Sequence, residues 1–228
     1  MTISQNDPFQ PNPRRRAFDN IVTMWDSIPP PPNFEQKVNR IMAAGCPGSC
    51  TTLLDIGTGT GCLIPAIAEK KPKYITAVDL SRLMVSRLRN KFEKHISLTQ
   101  EIDRSIIIPI NADALYLPIK DGSVGTVFCN DVFAHFNDTS KTLLELYRVL
   151  KPGGRLIISH LLGREKVNHI HSHHKQEALR NDLLAPAAEV IQTLVDLDFI
   201  VHESEDTETF YFIHAEKLAL AGNNDSIR

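Results

Sequence analysis

Cysteine is scarce. Four residues in a chain of 228, Cys46, Cys50, Cys62 and Cys129, do not make the disulfide framework of a small secreted domain. Long apolar runs are missing too, since no stretch approaches the roughly 18 to 20 residues that a membrane-spanning helix requires. Residues 1–16 lack the apolar segment of a signal peptide. Net charge is nearly absent, at −2 from 25 basic and 27 acidic residues. With a pI near 6.5, no broad basic face for gripping a phosphate backbone is implied. What is present is ordinary globular composition, 42% hydrophobic and 23% charged with 11 Gly and 14 Pro, which excludes a disordered or collagen-like chain. The expectation is a cytoplasmic single-domain protein without a membrane span, long enough to bury a sizeable core.

Residues 1–16 read as a flexible polar leader ending in the basic run Arg14-Arg15-Arg16, a solvated tail. Residues 17–50 read as an N-terminal helical cap. Ala17 to Ile28 place Phe18, Ile21, Val22 and Trp25 on one helical face, and Pro29 to Pro32 stop that helix as a stiff connector or a short polyproline ligand. Asn33, with Gln36 three residues on, predicts the capped start of a second helix whose Phe34, Val38 and Ile41 share a face. Gly45, Pro47 and Gly48 close it. From residue 51 to 217 strands alternate with helices. Expected strands are Thr52 to Ile56, Tyr74 to Val78, Ser105 to Ile110, Val124 to Cys129 and Arg155 to Ser159. Helices are expected at Gly61 to Lys70, Arg82 to Lys94, Lys141 to Leu150 and Ala187 to Leu197. Unalternated runs such as Val-Phe-Cys predict strands covered on both faces, hence a parallel sheet with helices on either side. Phe199 to Ser204 and Thr207 to Ala215 are too close together for anything but an antiparallel hairpin. Residues 162–185 exceed what a strand-to-helix connection needs and read as a lid or insertion. Residues 218–228 read as a tail.

The stretch Leu53-Leu54-Asp55-Ile56-Gly57-Thr58-Gly59-Thr60-Gly61-Cys62 runs strand, glycine turn, helix start. Open α/β sheets bind adenosine-type ligands at such strand ends. Glycine serves where the backbone turns tightly and a ligand must approach without meeting a Cβ. Its positions 57, 59 and 61 depart from a dinucleotide fingerprint, which wants the third glycine at Cys62. Asp79 closes the second strand, where a carboxylate can accept hydrogen bonds from both hydroxyls of a ribose. Ser81 is free to cap the following helix.

Further on come Asn111-Ala112-Asp113-Ala114-Leu115-Tyr116-Leu117-Pro118, then Asp121-Gly122-Ser123-Val124-Gly125-Thr126-Val127-Phe128, then Leu146-Tyr147-Arg148-Val149-Leu150-Lys151-Pro152-Gly153-Gly154-Arg155-Leu156. With the glycine turn and Ala77-Val78-Asp79-Leu80-Ser81, this set resembles the class I S-adenosylmethionine-dependent methyltransferases. It is most similar to their small-molecule group around the quinone-biosynthesis methylases, over roughly residues 17 to 161. Phe18-Asp19 and Trp25-Asp26 resemble that group's N-terminal helix over the cofactor pocket. The resemblance implies an α/β, Rossmann-like fold, a seven-stranded mostly parallel sheet with an antiparallel C-terminal hairpin. It implies S-adenosylmethionine as cofactor. Asp55, Gly57, Gly59 and Gly61 would line its methionine end, with Thr58 where many relatives carry Cys. Asp79 would hold the ribose and Leu80 flank the adenine. Ala112, Asp113 and Ala114 would meet the adenine, and Asn130 the methionine part. Val124-Gly125-Thr126 departs from a common Phe-Asp pair.

Methyl transfer is an in-line displacement, so the protein mainly aligns the partners and excludes water. His135, just past the fourth strand, is the candidate general base, or else simply lines the pocket. No Asn/Asp-Pro-Pro-aromatic or Pro-Cys motif of DNA-base methylation follows the fourth strand, which favours a small-molecule substrate over nucleic acid. A non-catalytic cofactor-binding regulator and a nicotinamide-dependent oxidoreductase stay as alternatives. Five of nine histidines fall between 160 and 174. If Arg164 to Arg180 is helical, His169 and His173 take i, i+4 metal-ligand spacing; the other readings are a substrate-facing lid and a solvated surface. Oligomeric state is not legible.

Overall fold

A computed structural model describes residues 12–46, 52–94 and 106–219. The chain begins with two helices, α1 (Pro13–Trp25) and α2 (Phe34–Gly45). The alternating part runs β1 (Thr52–Ile56), α3 (Ile64–Ala68), β2 (Tyr74–Asp79), α4 (Arg82–Lys94), β3 (Ile107–Asn111), β4 (Val124–Asn130), α5 (Thr139–Val149) and β5 (Leu150–His160). It ends with α6 (Arg164–Ser172), α7 (Ala187–Asp196), β6 (Phe199–Asp206) and β7 (Tyr211–Lys217). The seven strands order as β3-β2-β1-β4-β5-β7-β6. All pairs up to β5 are parallel, while β7 runs antiparallel to both β5 and β6. The expected mixed sheet is therefore the one formed. Strand order reverses between β1 and β4, and the carboxyl ends at that reversal open a crevice.

β1 and β4 are buried along almost their whole length, because each face has its own core. Leu54, Ile56, Val127 and Cys129 pack with Leu143, Leu146, Val190 and Leu194 of α5 and α7. Leu53, Ile75, Phe128 and Ile157 point the other way, against Ile41 and Met42 of α2 and Ile64 and Ile67 of α3. Each such side chain contributes about 1.5 to 3 kcal/mol when fully buried.

Several expected boundaries are corrected. α1 begins at Pro13, so Arg14, Arg15 and Arg16 are helical and not leader. The Asn12 side chain accepts from the backbone N–H groups of Arg14 and Arg15 at 3.0 and 3.2 Å, and proline suits the first helical position. Residues 1–11 lie outside the described residues, as do Pro47, Gly48, Cys50 and Ser105. Asn33 precedes α2 but makes no side-chain cap; it sits at φ 59°, a left-handed conformation that asparagine tolerates, and its carbonyl accepts from Lys37 N. Ser81 caps α4 as expected, its Oγ accepting from Met84 N at 3.1 Å. α6 stops at Ser172 and does not reach Arg180. Asn168 of α6 donates to Leu184 O at 3.1 Å and accepts from Leu184 N at 2.7 Å. That pair draws the returning chain alongside α6 and leaves no room for a longer helix.

Candidate active site

The turn after β1 places Gly57 and Gly59 at φ +66° and +54°, where side chains are rarely tolerated. A Cβ on Gly57 would lie 2.3 Å from Val132 Cγ2, and one on Gly59 would lie 3.2 Å from Trp25 Nε1. Asp79 ends the neighbouring strand β2. One of its oxygens accepts from Gly59 N and the other from Ser81 N, each at 2.8 Å. A carboxylate has about four acceptor positions, so two stay available. Burial pushes the Asp79 carboxyl up to about 6, against the opposing pull of those two N–H groups.

A cavity of about 770 Å³, counting its open mouth, lies at these strand ends. Gly57, Gly59, Asp79, Leu80, Ala112, Asp113 and Ala114 line one part of it; Val132, His135 and Phe136 line another; Arg14, Phe18 and Trp25 of α1 roof it. Ten residues singled out in the sequence thus line one cavity, Phe18 and Trp25 included. Four others do not reach it. Asp55 and Thr58 are buried behind the turn, and burial, then the nearby Asp79 charge, raises the Asp55 carboxyl to about 7. Gly61 faces α4, where an added Cβ would meet Leu88 and Phe92. Asn130 is turned sideways: its oxygen accepts from Ser159 Oγ at 2.9 Å and its amide donates to Asp131 at 3.0 Å. These four stand directly behind the residues that line the cavity.

α1 is tied down at both ends. Asp19 accepts from Ser81 Oγ, and Asp26 accepts from Thr60 Oγ1 and, at 2.6 Å, from Arg87 Nε. At the start of the helix Arg14 pairs with Asp182. The Asp182 side chain is fully buried and meets three groups. Its carboxylate also lies 2.7 Å from His135 Nδ1, and its carbonyl accepts from His171 Nδ1 at 2.5 Å. Burial would raise this carboxyl, but His135 and Arg14 outweigh it and hold it below the ordinary carboxylate value. His135 ends a short 3-10 turn, Phe133–His135. Its ring stands edge-on to Phe18 at 5.0 Å and tilted against His171 at 4.6 Å. Burial lowers His171 and takes His160 down to about 3, so both are neutral rings.

Sequence reasoning missed Asp182 and Arg14. Nothing local marks them, since 47 residues separate His135 from Asp182 and 168 separate Arg14 from it. The His169 and His173 rings do lie together, 4.4 Å apart. Yet His173 Nδ1 is taken up by His169 O at 2.9 Å, and among the described residues no three His, Cys, Asp or Glu side chains could hold a metal ion together. The pair is a surface contact.

The cavity fits S-adenosylmethionine. Asp79 keeps acceptor positions for ribose hydroxyls, and Leu80 with Ala112 and Ala114 offers apolar surface for a purine.

Comparison with known proteins agrees. A family model described as a methyltransferase domain matches residues 54–158. The demethylmenaquinone methyltransferase of Thermus thermophilus is 37% identical over 108 residues, which are 46% of this chain and 45% of that protein. This chain spans about half the length of the first curated relatives it matches. Among solved structures, an S-adenosylmethionine-dependent methyltransferase from Aquifex aeolicus superposes at TM-score 0.62 with 19% identity, covering 92% of this chain and all of that one. The [4+2]-cyclase SpnF superposes at TM-score 0.72 with 15% identity over 90% and 95% of the two chains; both likenesses speak to fold alone. No helix among the described residues is long and apolar enough to cross a membrane. Residues 54–158 match a methyltransferase domain, and glycine turn, strand-end carboxylate and sheet order agree in supporting an enzyme of the class I S-adenosylmethionine-dependent methyltransferase type, with S-adenosylmethionine as cofactor.

Proposed function

We propose that the protein transfers a methyl group from S-adenosylmethionine to a small-molecule acceptor, with His135 as the general base. The observation that carries the small-molecule reading is the roof: Arg14, Phe18 and Trp25 of α1 line the cavity, which favours an acceptor small enough to fit beneath α1. A base or peptide still attached to a polymer meets that helix first. The same proposal places the protein in the cytoplasm, in keeping with its scarce cysteine.

When bound, the cofactor supplies a methyl group already activated on a sulfonium sulfur. Asp79 holds and orients its ribose end, and Leu80, Ala112, Asp113 and Ala114 surround the adenine. The backbone at Gly57 and Gly59 lets the ligand approach without a Cβ in the way. Trp25 and Phe18 keep water out, and fixing the partners in line supplies up to about 7 to 11 kcal/mol of the barrier. His135 takes a proton from a hydroxyl or acidic carbon of the acceptor at Nε2, because Nδ1 already faces Asp182.

The test uses methyl-labelled S-adenosylmethionine with the low-molecular-weight and macromolecular fractions of a cell extract. Label should enter the small-molecule fraction. Label confined to protein or nucleic acid would sink the acceptor class. Calorimetry with S-adenosylhomocysteine, NAD and NADP checks the cofactor, and a preference for either nicotinamide nucleotide would reverse it.

A further inference from the structure

We propose that Asp182, itself clamped by Arg14, is a positioning residue that fixes the ring proton of His135 on Nδ1 and thereby leaves Nε2 unprotonated toward the cavity. The inference rests on the reading of His135 as base and says how that base is kept in working form.

A neutral imidazole carries its proton on one nitrogen, and the hydrogen bond made by the other atom decides which. His135 Nδ1 lies 2.7 Å from Asp182 Oδ2. An ionised carboxylate can only accept, so the proton must be on Nδ1. Asp182 is kept ionised although its side chain is fully buried: Arg14 binds it through two guanidinium nitrogens, with Nε 3.1 Å from Oδ1 and 3.3 Å from Oδ2. His171 donates to the Asp182 carbonyl, fixing the main chain from which the carboxylate reaches. Among the described residues no protein group bonds to His135 Nε2, and the ring lines the cavity. During transfer the acceptor's proton would move to Nε2 while the Nδ1 proton stays against Asp182, which stabilises the imidazolium without accepting a proton itself.

Arg14 makes the idea sharply testable. In Asp182→Asn, the side chain has one oxygen and one NH2. Arg14 has only donors, so it keeps the oxygen, and the NH2 is left facing His135 Nδ1. That nitrogen must then accept, and the proton is driven to Nε2. Nitrogen NMR of the full-length, histidine-labelled protein without ligand reads the tautomer, with the His135 signal identified by its loss in His135→Gln. The neutral ring should be Nδ1–H in the unaltered protein and Nε2–H in Asp182→Asn. In Arg14→Met with Asp182→Asn the amide is released to turn over, and Nδ1–H should return. Once an acceptor is in hand, Asp182→Asn should lower kcat by about 10² to 10⁴-fold, the usual worth of general-base catalysis, with KM little changed.

An Nε2–H ring in the unaltered protein overturns the proposal. So does an unchanged tautomer in a folded Asp182→Asn. Should that variant not fold, the unaltered protein alone decides. Failure of the cofactor reading is separate, since it would appear as absent S-adenosylhomocysteine binding whatever the tautomer.

Discussion

Asp79 carries two loads at once. Its oxygens satisfy the N–H groups of Gly59 and Ser81, and the positions left over are those assigned to a ribose. Replacing it by alanine removes both, and would confuse a loss of binding with a disturbed turn. Asp79→Asn keeps a similar shape and one acceptor oxygen but sets its NH2 against the N–H of Gly59 or Ser81, so it disturbs the turn less than alanine does without sparing it. It loses the charge, and hydrogen bonds to a charged group are worth about 1.5 to 3 kcal/mol. Affinity for S-adenosylhomocysteine should therefore fall on the order of 10 to 100-fold by calorimetry, with a melting temperature lowered less than in Asp79→Ala. An unchanged dissociation constant would remove Asp79 from the ribose. Such residues are legible because they obey local rules: a glycine where φ is positive, a carboxylate where a strand ends. Less legible are the partners of Asp55 and Asn130: Asp55 is buried, and Asn130 bonds to Ser159 and Asp131, arrangements that no local rule announces.

At the scale of elements, α1 is the part on which the site depends most and the one with the fewest apolar anchors: only Ala17 and Val22 are buried in it. Its hold comes from Asp19, Asp26 and Arg14. Trp25 is the single tryptophan and stands where a Cβ on Gly59 would meet it, so it reports on the roof directly. In Asp19→Ala with Asp26→Ala, Trp25 emission should shift to the red and S-adenosylhomocysteine should dissociate on the order of tenfold faster in stopped-flow fluorescence, each lost charged contact being worth about 1 kcal/mol or more. An unshifted emission would mean that packing alone seats the helix. The sheet was legible from alternation, but its edges were not. β5 begins at Leu150 and not at Arg155, because Lys151 to Gly154 fold into a strand irregularity; Val124 still pairs with Leu150 while the register slips before Thr126 meets Arg155. A Pro-Gly-Gly run reads locally as a turn, and only the partner strand makes it a bulge. α6 was over-extended for a similar reason, since Asn168 bonds to a residue 16 positions on.

For the whole molecule, buried titratable groups pull in opposite directions. Asp55 and Asp79 have carboxyls raised to about 7 and 6, against about 3.9 when unfolded. The native state thus holds protons that the unfolded chain has lost, and stability falls as pH rises through that window. His160, His171 and His214 are lowered by burial. The unfolded chain protonates them below about 6.5 while the fold does not, so stability falls again on the acid side. Below pH 7 the two contributions oppose one another, and both are spent by about pH 7, so midpoints of thermal melts without ligand should level off between pH 7 and 8; a midpoint that climbs steadily to pH 8 would contradict the assignment of these buried groups. The Arg14–Asp182 pair has a consequence in time as well as in space. Synthesis runs from the N-terminus, so α1 leaves the ribosome before the strands it covers, but its partner carboxylate comes 168 residues later. At about 5 to 20 residues per second, the roof waits on the order of ten seconds or more for the group that secures its first turn. The nascent sheet can gather meanwhile, yet the cavity is finished only after Asp182 has been made.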